Sequence, residues 1–223
     1  MIISRVEGVS PKVPTELREV YGYLAGAVID TLGCYSELVT LFTSKETIDL
    51  MNTTAPTFFV RHQQLLVDHT ILSLSRLTDE KHGGPRKNQD NLTLPRLLDL
   101  HKPEHHQLRV DLQRKWTTIK AASLPIRLYR HKLLAHASLV HYLSPSMRLG
   151  DEITMTSMKD LLDEILDYLA TFDCFFTGVG TPLSYPLSYG EAGDLITYLR
   201  SAVNAETKLN DERRSAALES SSH

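Results

Sequence analysis

The sequence predicts an all-α protein, and three observations carry that prediction. Apolar residues recur three and four positions apart in several separate stretches, the period of one helix face. Proline, glycine and short polar runs fall between those stretches, where a chain of helices must break. No segment alternates apolar and polar residues over a strand's length, and there is no internal repeat. With 223 residues, 42% of them hydrophobic, the chain can enclose a full core.

Each element follows from its own signals. Pro11 and Pro14 keep residues 1–14 extended and leave Thr15 as an N-cap. From Glu16 to Phe42 the positions Leu17, Val20, Leu24, Val28, Leu32, Leu38 and Leu41 mark one helix. Ser44 opens a short helix to about Thr53, and Pro56 opens a long one that carries Phe58, Phe59, Leu65, Leu66, Ile71, Leu72, Leu74 and Leu77. Residues 79–91 hold Gly, Pro and charge without periodicity and form a loop. That loop is either a solvated connection or a substrate contact through Lys81, Arg86 and Lys87. Thr93 caps a short helix through His101. Pro103 starts another, to about Ala122, with Leu108, Leu112, Trp116 and Ile119 as its stripe. Pro125 restarts the chain as helix, and Ser144-Pro145 and Gly150 break it again. Ser157 to Asp160 has capping-box spacing before a helix that carries Leu161, Leu162, Ile165, Leu166, Leu169, Phe172 and Phe176 to about Thr177. A loop follows, and Ser188 to Glu191 opens a C-terminal helix with Leu195, Ile196, Leu199 and Val203. Beyond Leu209 the polar tail is a solvated helix end or frays.

Composition removes several function classes. Cys34 and Cys174 are isolated in apolar surroundings, which predicts buried thiols and no disulfide framework. The N-terminus lacks the apolar run of a signal peptide and no stretch looks long enough to span a bilayer, so a cytoplasmic protein without membrane contact is expected. His62 and His69 have no third ligand in view, and Pro103 separates His101 from His105 and His106, so neither a metal site nor a cofactor is expected.

Charge is unevenly spread. The chain has a net charge of −3, yet residues 96–148 hold ten Lys or Arg against three Asp or Glu, a local net of +7. Such a band can attract a polyanion although the whole molecule is acidic. Its centre is the run Arg127 to Ser138, with Arg127, Arg130, Lys132, His131 and His136 set among Leu128, Leu133, Leu134 and Ala135. Unpaired cations are costly to bury, so these groups gather towards a cleft or partner while the leucines pack. On a straight α-helix Arg130 and His136 lie about 120° apart and flank one groove. Arginine presents a fork that matches phosphate oxygens, and histidine titrates near neutrality, able to take or give a proton. Together they fit cleavage of a ribose phosphodiester, for which the substrate's own 2′-hydroxyl is the nucleophile. The plainer alternative is that Arg130 pairs with a carboxylate such as Asp68 or Asp79.

The run Arg130-His131-Lys132-Leu133-Leu134-Ala135-His136 resembles the Arg-polar-x-Ala-His signature of the HEPN superfamily of helical ribonucleases, nearest its abortive-infection, AbiU-like branch. Leu72 to Asp79, a variable loop and Asn91 to Leu98 resemble the same branch, so the likeness covers residues 15–176. It implies an antiparallel HEPN-like helical bundle over residues 15–178, with the loop and additional C-terminal helix of 179–223 outside it. It also implies a homodimer through the motif helix and metal-independent RNA cleavage in phage defence or a toxin–antitoxin pair. By carry-over Arg130 and His136 are the catalytic pair, His131 is the polar residue that orients them, and Arg127 and Lys132 bind substrate. His131 replaces the more usual Asn or Asp. Ser138 stands where toxins silenced by a partner nucleotidyltransferase carry tyrosine, so that control is not expected here. Two rival classes remain: a non-catalytic module that binds nucleic acid or nucleotide, and a protein-interaction adaptor.

Overall fold

The computed structural model describes residues 9–82, 90–135, 153–179 and 192–220, without the side chains of 133–135 and 219–220. The described residues are helical, with no strand among them, as the apolar spacing predicts. In chain order the helices are α1 (Thr15–Phe42), α2 (Lys45–Thr54), α3 (Pro56–Leu77), α4 (His106–Ala122), α5 (Leu124–Tyr129), α6 (Met155–Thr177) and α7 (Ala192–Ser220). Two 3₁₀ turns, Leu94–Leu98 and Pro103–His105, precede α4, and a π-helical turn, Arg130–Ala135, follows α5. The chain divides into two compact units, one of residues 1–35 and 67–185, the other of 36–66 and 186–223.

The first unit is built around α6. His105, Leu108, Leu112, Trp116 and Ile119 are buried along and just before α4, against Leu161, Ile165, Leu169, Phe172 and Phe176 of α6. The two helices run antiparallel: His105, before α4, meets Phe175 and Phe176 near the end of α6, and Lys115 pairs with Asp167 further back. The same holds for α1, whose Tyr21 stacks on Phe172 at 5.1 Å while Tyr35 donates to the Met155 carbonyl at 3.0 Å. Tyr168 is fully buried, and its hydroxyl donates to the Leu94 carbonyl at 3.1 Å. Burial, with the Asp99 carboxylate second, pushes that phenol well above its usual range, so it remains a donor.

Several boundaries differ from the sequence reading, each for a local reason. The Pro14 carbonyl accepts from the N–H groups of Leu17 and Arg18 at 2.9 Å, so Thr15 is the first helical residue and not a cap. The capping box of α6 is one helical turn earlier than expected: Thr154 accepts from the Ser157 N–H at 3.0 Å and donates its own N–H to Ser157 Oγ at 2.9 Å. At its other end the helix stops at Gly178, whose φ of 74° is the left-handed conformation that glycine adopts without strain. The short helix after Thr93 ends at Leu98 and not His101, because the Asp99 N–H closes back on the Arg96 carbonyl at 3.1 Å. Cys34 is only half-buried and Cys174 is exposed, against the expectation of two buried thiols. Of the apolar residues assigned to α3, Phe58 and Leu65 are exposed. By length and composition α1 is apolar enough to cross a bilayer, which overturns the statement that no stretch is. Leu17, Tyr21, Leu24 and Val28 on one face are buried in protein, although only 33% of its most apolar stretch is.

The second unit has a smaller core, in which Leu41, Met51, Phe59 and Ile196 are buried together. Ser44 caps α2 by accepting from the Thr47 N–H at 3.1 Å, and Arg200 of α7 pairs with Glu46 at 2.7 Å. Past Val203 every described side chain of α7 is exposed, yet the helix continues to Ser220, beyond the point where fraying was one of the expectations. The capping sequence expected at 188–191 lies outside the described residues.

Candidate functional site

The site begins at the end of α3. Thr78 is fully buried, and its hydroxyl donates to the Leu74 carbonyl at 2.8 Å, which closes the last turn of the helix. Asp79 follows immediately, so its carboxylate stands at a helix C-terminus, where the helix dipole is unfavourable for an anion. Cations compensate. Arg130 Nη1 donates to Asp79 Oδ2 at 2.6 Å, and Arg127 Nε stands 3.7 Å from Oδ1. The neighbouring Glu80 pairs with Lys120 at 2.7 Å. Of the two carboxylates offered as partners for Arg130, the structure selects Asp79.

The other side of the site comes from the chain after α4. The Ser123 N–H donates to the Ile119 carbonyl at 2.9 Å and its hydroxyl to the Lys120 carbonyl at 3.1 Å, so α4 closes at this residue. The Ser123 carbonyl then accepts from the Arg127 N–H at 3.0 Å, which begins α5. Ile126 anchors that turn in the core, while Leu124 and Leu128 are exposed, so Leu128 does not pack as expected. Arg127 and Arg130, three apart, share a face and converge on one carboxylate.

From Arg130 to Ala135 the backbone widens into a π-helical turn. Such turns are rare and recur at functional positions. The offset of about 120° calculated for a straight α-helix therefore does not carry through this segment. His131 is exposed and Lys132 half-buried. The side chains of Leu133, Leu134 and Ala135, and the whole of His136 and Ser138, lie outside the described residues. The structure thus brings together Arg127 and Arg130, and it adds Asp79 between them.

The positive band is less bare than its sequence count. Lys115 pairs with Asp167, Lys120 with Glu80, Arg127 and Arg130 with Asp79, and Arg96 with Asp90. All four of those carboxylates come from outside residues 96–148. Arg109 has no carboxylate partner among the described residues and stays exposed. His105 is buried edge-on against Phe175 and Phe176, at 5.8 and 5.3 Å between ring centres. Among the described residues no three His, Cys, Asp or Glu side chains gather as a metal site would require.

Sequence reasoning missed Glu80–Lys120 and the exposed edge of α4 beside it. A signal for both was present: Arg109, Gln113, Trp116 and Lys120 follow one another at four, three and four residues.

Comparison with known proteins gives one result. A family model described as AbiU2, a HEPN family, matches residues 15–171. That match spans the site just described, including Asp79, Arg127, Arg130 and the π turn. Neither a curated protein nor a solved structure matches the chain.

Proposed function

We propose a function from one premise: the chain belongs to the AbiU2 family of HEPN domains, a module related to abortive infection. In this reading it is a metal-independent endoribonuclease that acts on cytoplasmic RNA in phage defence or beside an antitoxin. Two copies pair through the motif segment to make one composite site. The observation that carries the reading is the state of Arg130. It is held at 2.6 Å by Asp79 through one nitrogen, and its side chain is still 29% exposed on a π turn.

The chemistry follows from what a guanidinium can offer. It has five N–H donors in a fixed fork, and Asp79 takes one of them. The remaining edge can grip two oxygens of a scissile phosphate and stabilise the charge that builds on them. His136 takes the proton from the ribose 2′-hydroxyl, whose oxygen attacks phosphorus as the bond to the 5′-oxygen breaks. A protonated His136 of the partner subunit gives its proton to that leaving oxygen. The products are a 2′,3′-cyclic phosphate and a 5′-hydroxyl, so no water or metal enters the step. One imidazole cannot serve as base and acid in the same displacement, hence the requirement for two copies. Arg127 and Lys132 add phosphate contacts and His131 orients the pair.

The test compares the natural chain with R130A and H136A on total RNA in EDTA. Cleavage that resists the chelator, leaves cyclic phosphate ends and disappears in both variants is the expected result. RNA bound equally by all three chains and cut by none would assign the chain to a non-catalytic nucleic-acid module. Indifference to RNA would leave an interaction adaptor.

A further inference from the structure

Beside the motif the first unit holds an open groove of about 730 Å³. It is lined by Arg109, Gln113 and Trp116 of α4, by Pro95 and Leu98, and by Glu80 to His82. Three features mark it as more than surface relief. First, Arg109, Gln113, Trp116 and Lys120 form a straight row along one helix face, roughly 16 Å from end to end at 1.5 Å per residue. Second, the row leads to the motif: Lys120 pairs with Glu80 at 2.7 Å, and Glu80 adjoins Asp79, which holds Arg130. Third, the other basic side chains of the groove are paired, Lys81 with Asp99 and His82 with Asp90 at 3.0 Å, whereas Arg109 has no carboxylate partner among the described residues.

We infer that this row is a track for the single-stranded RNA on one side of the scissile phosphate. Arg109 grips a backbone phosphate, Gln113 offers its amide to a base edge, and Leu98, Pro95 and the Trp116 edge supply the apolar wall against which a base can lie. Several stacked nucleotides fit along a row of this length at 3.4 Å per step. The inference rests on the nuclease reading for its direction towards Arg130, but its binding half can be measured alone.

The experiment uses the full chain with H136A, so that RNA is bound and not cut, and a labelled single-stranded oligoribonucleotide as probe. R109E in that background weakens binding at least tenfold, and R109A lowers the slope of log affinity against log salt by about 0.7, one phosphate contact on a single strand. R114E makes the same charge change on the opposite face of α4, where Arg114 is exposed, and shifts affinity less than about threefold by long-range electrostatics alone. In the cleaving chain R109E raises KM and retains kcat at saturating RNA. If R109E and R114E weaken binding equally, or if R109E leaves both affinity and KM unchanged, the track is wrong while the nuclease stands. If R109E weakens binding but the natural chain cuts nothing, the track stands and the nuclease fails. No RNA binding by the H136A chain overturns both.

Discussion

Arg96 and Arg130 each hold an aspartate at 2.6 Å, yet the two arginines sit in different settings. Arg96 is wrapped. Its Nε donates to the Asn91 carbonyl at 3.0 Å and its Nη2 to the Lys81 carbonyl at 3.2 Å, besides its contact with Asp90, and Asp99 stands 4.0 Å away. With 18% of its side chain exposed, it ties together the two strands of chain that meet at the His82–Asp90 bridge, where the Asn91 N–H also donates to the Lys81 carbonyl at 2.8 Å. Arg130 has Asp79 as its hydrogen-bond partner among the described residues and is 29% exposed. An arginine whose donors end on backbone carbonyls is a brace. One whose fork meets a single carboxylate among the described residues is oriented, and on the reading proposed above its other donors face the substrate.

That contrast predicts opposite phenotypes, and the largest effect falls on Arg130. R130A should reduce cleavage more than about 100-fold, the scale of removing a donor that stabilises charge in a transition state. Its thermal unfolding should move little, because Arg127 still faces Asp79. R96A should do the reverse, with a stability loss of about 1–3 kcal/mol from hydrogen bonds to charged groups and orphaned carbonyls, and cleavage per folded molecule retained. Calorimetry and single-turnover cleavage on both variants decide the matter. Equal loss of activity in R96A at a temperature where it remains folded would erase the distinction between brace and binder.

Asp79 gives the next effect. If it holds the Arg130 fork at the right angle, D79N should lower kcat about tenfold with KM nearly unchanged, since a misplaced transition-state contact costs rate more than binding. D79E should recover part of the loss by restoring the charge. Faster cleavage by D79N would instead make Asp79 a brake on Arg130, and equal kinetics would make the pair merely structural. The split between kcat and KM separates these cases where a stability measurement cannot.

How far these residues could be read in advance depends on the range of the interaction. The core was legible because helical period is local: Leu108, Leu112, Trp116 and Ile119 are buried on the face their spacing assigned. The limits of Pro56–Leu77 were legible because proline and a polar run bound it. The capping box of α6 was misplaced by one turn because Ser157 is a residue that fits either role, cap or third helical position, and only backbone geometry separates them. The ion pair of Arg130 was legible in part, as a choice between Asp68 and Asp79, whereas the turn that carries it was not. A π turn has no composition signal, and Asp79 lies 51 residues from Arg130, a pairing that only the fold can choose over Asp68. The positive band misled for the same reason, since its neutralising carboxylates come from other parts of the chain.

The smallest effect tests the brace from its outer side. Asp90 is 67% exposed, and its carboxyl is held below the usual carboxylate range first by the hydrogen bond from Arg96 and then by the charges of Arg96 and His82. A depressed folded value means that the unfolded chain binds the proton more readily. The contribution of Asp90 is therefore complete above the ordinary carboxylate range and is lost as pH falls through the lowered folded value. Solvent screens so exposed a pair, so the change in overall stability should be near the limit of detection. Its titration should not be: followed by NMR, the Asp90 carboxyl should titrate below an unperturbed aspartate in the natural chain and return upward in R96A. R130A should leave it where it was, because that arginine is bound to a different carboxylate. An Asp90 titration that moves in R130A and not in R96A would show that the two nodes are one network, and the separation of brace from binder would have to be abandoned.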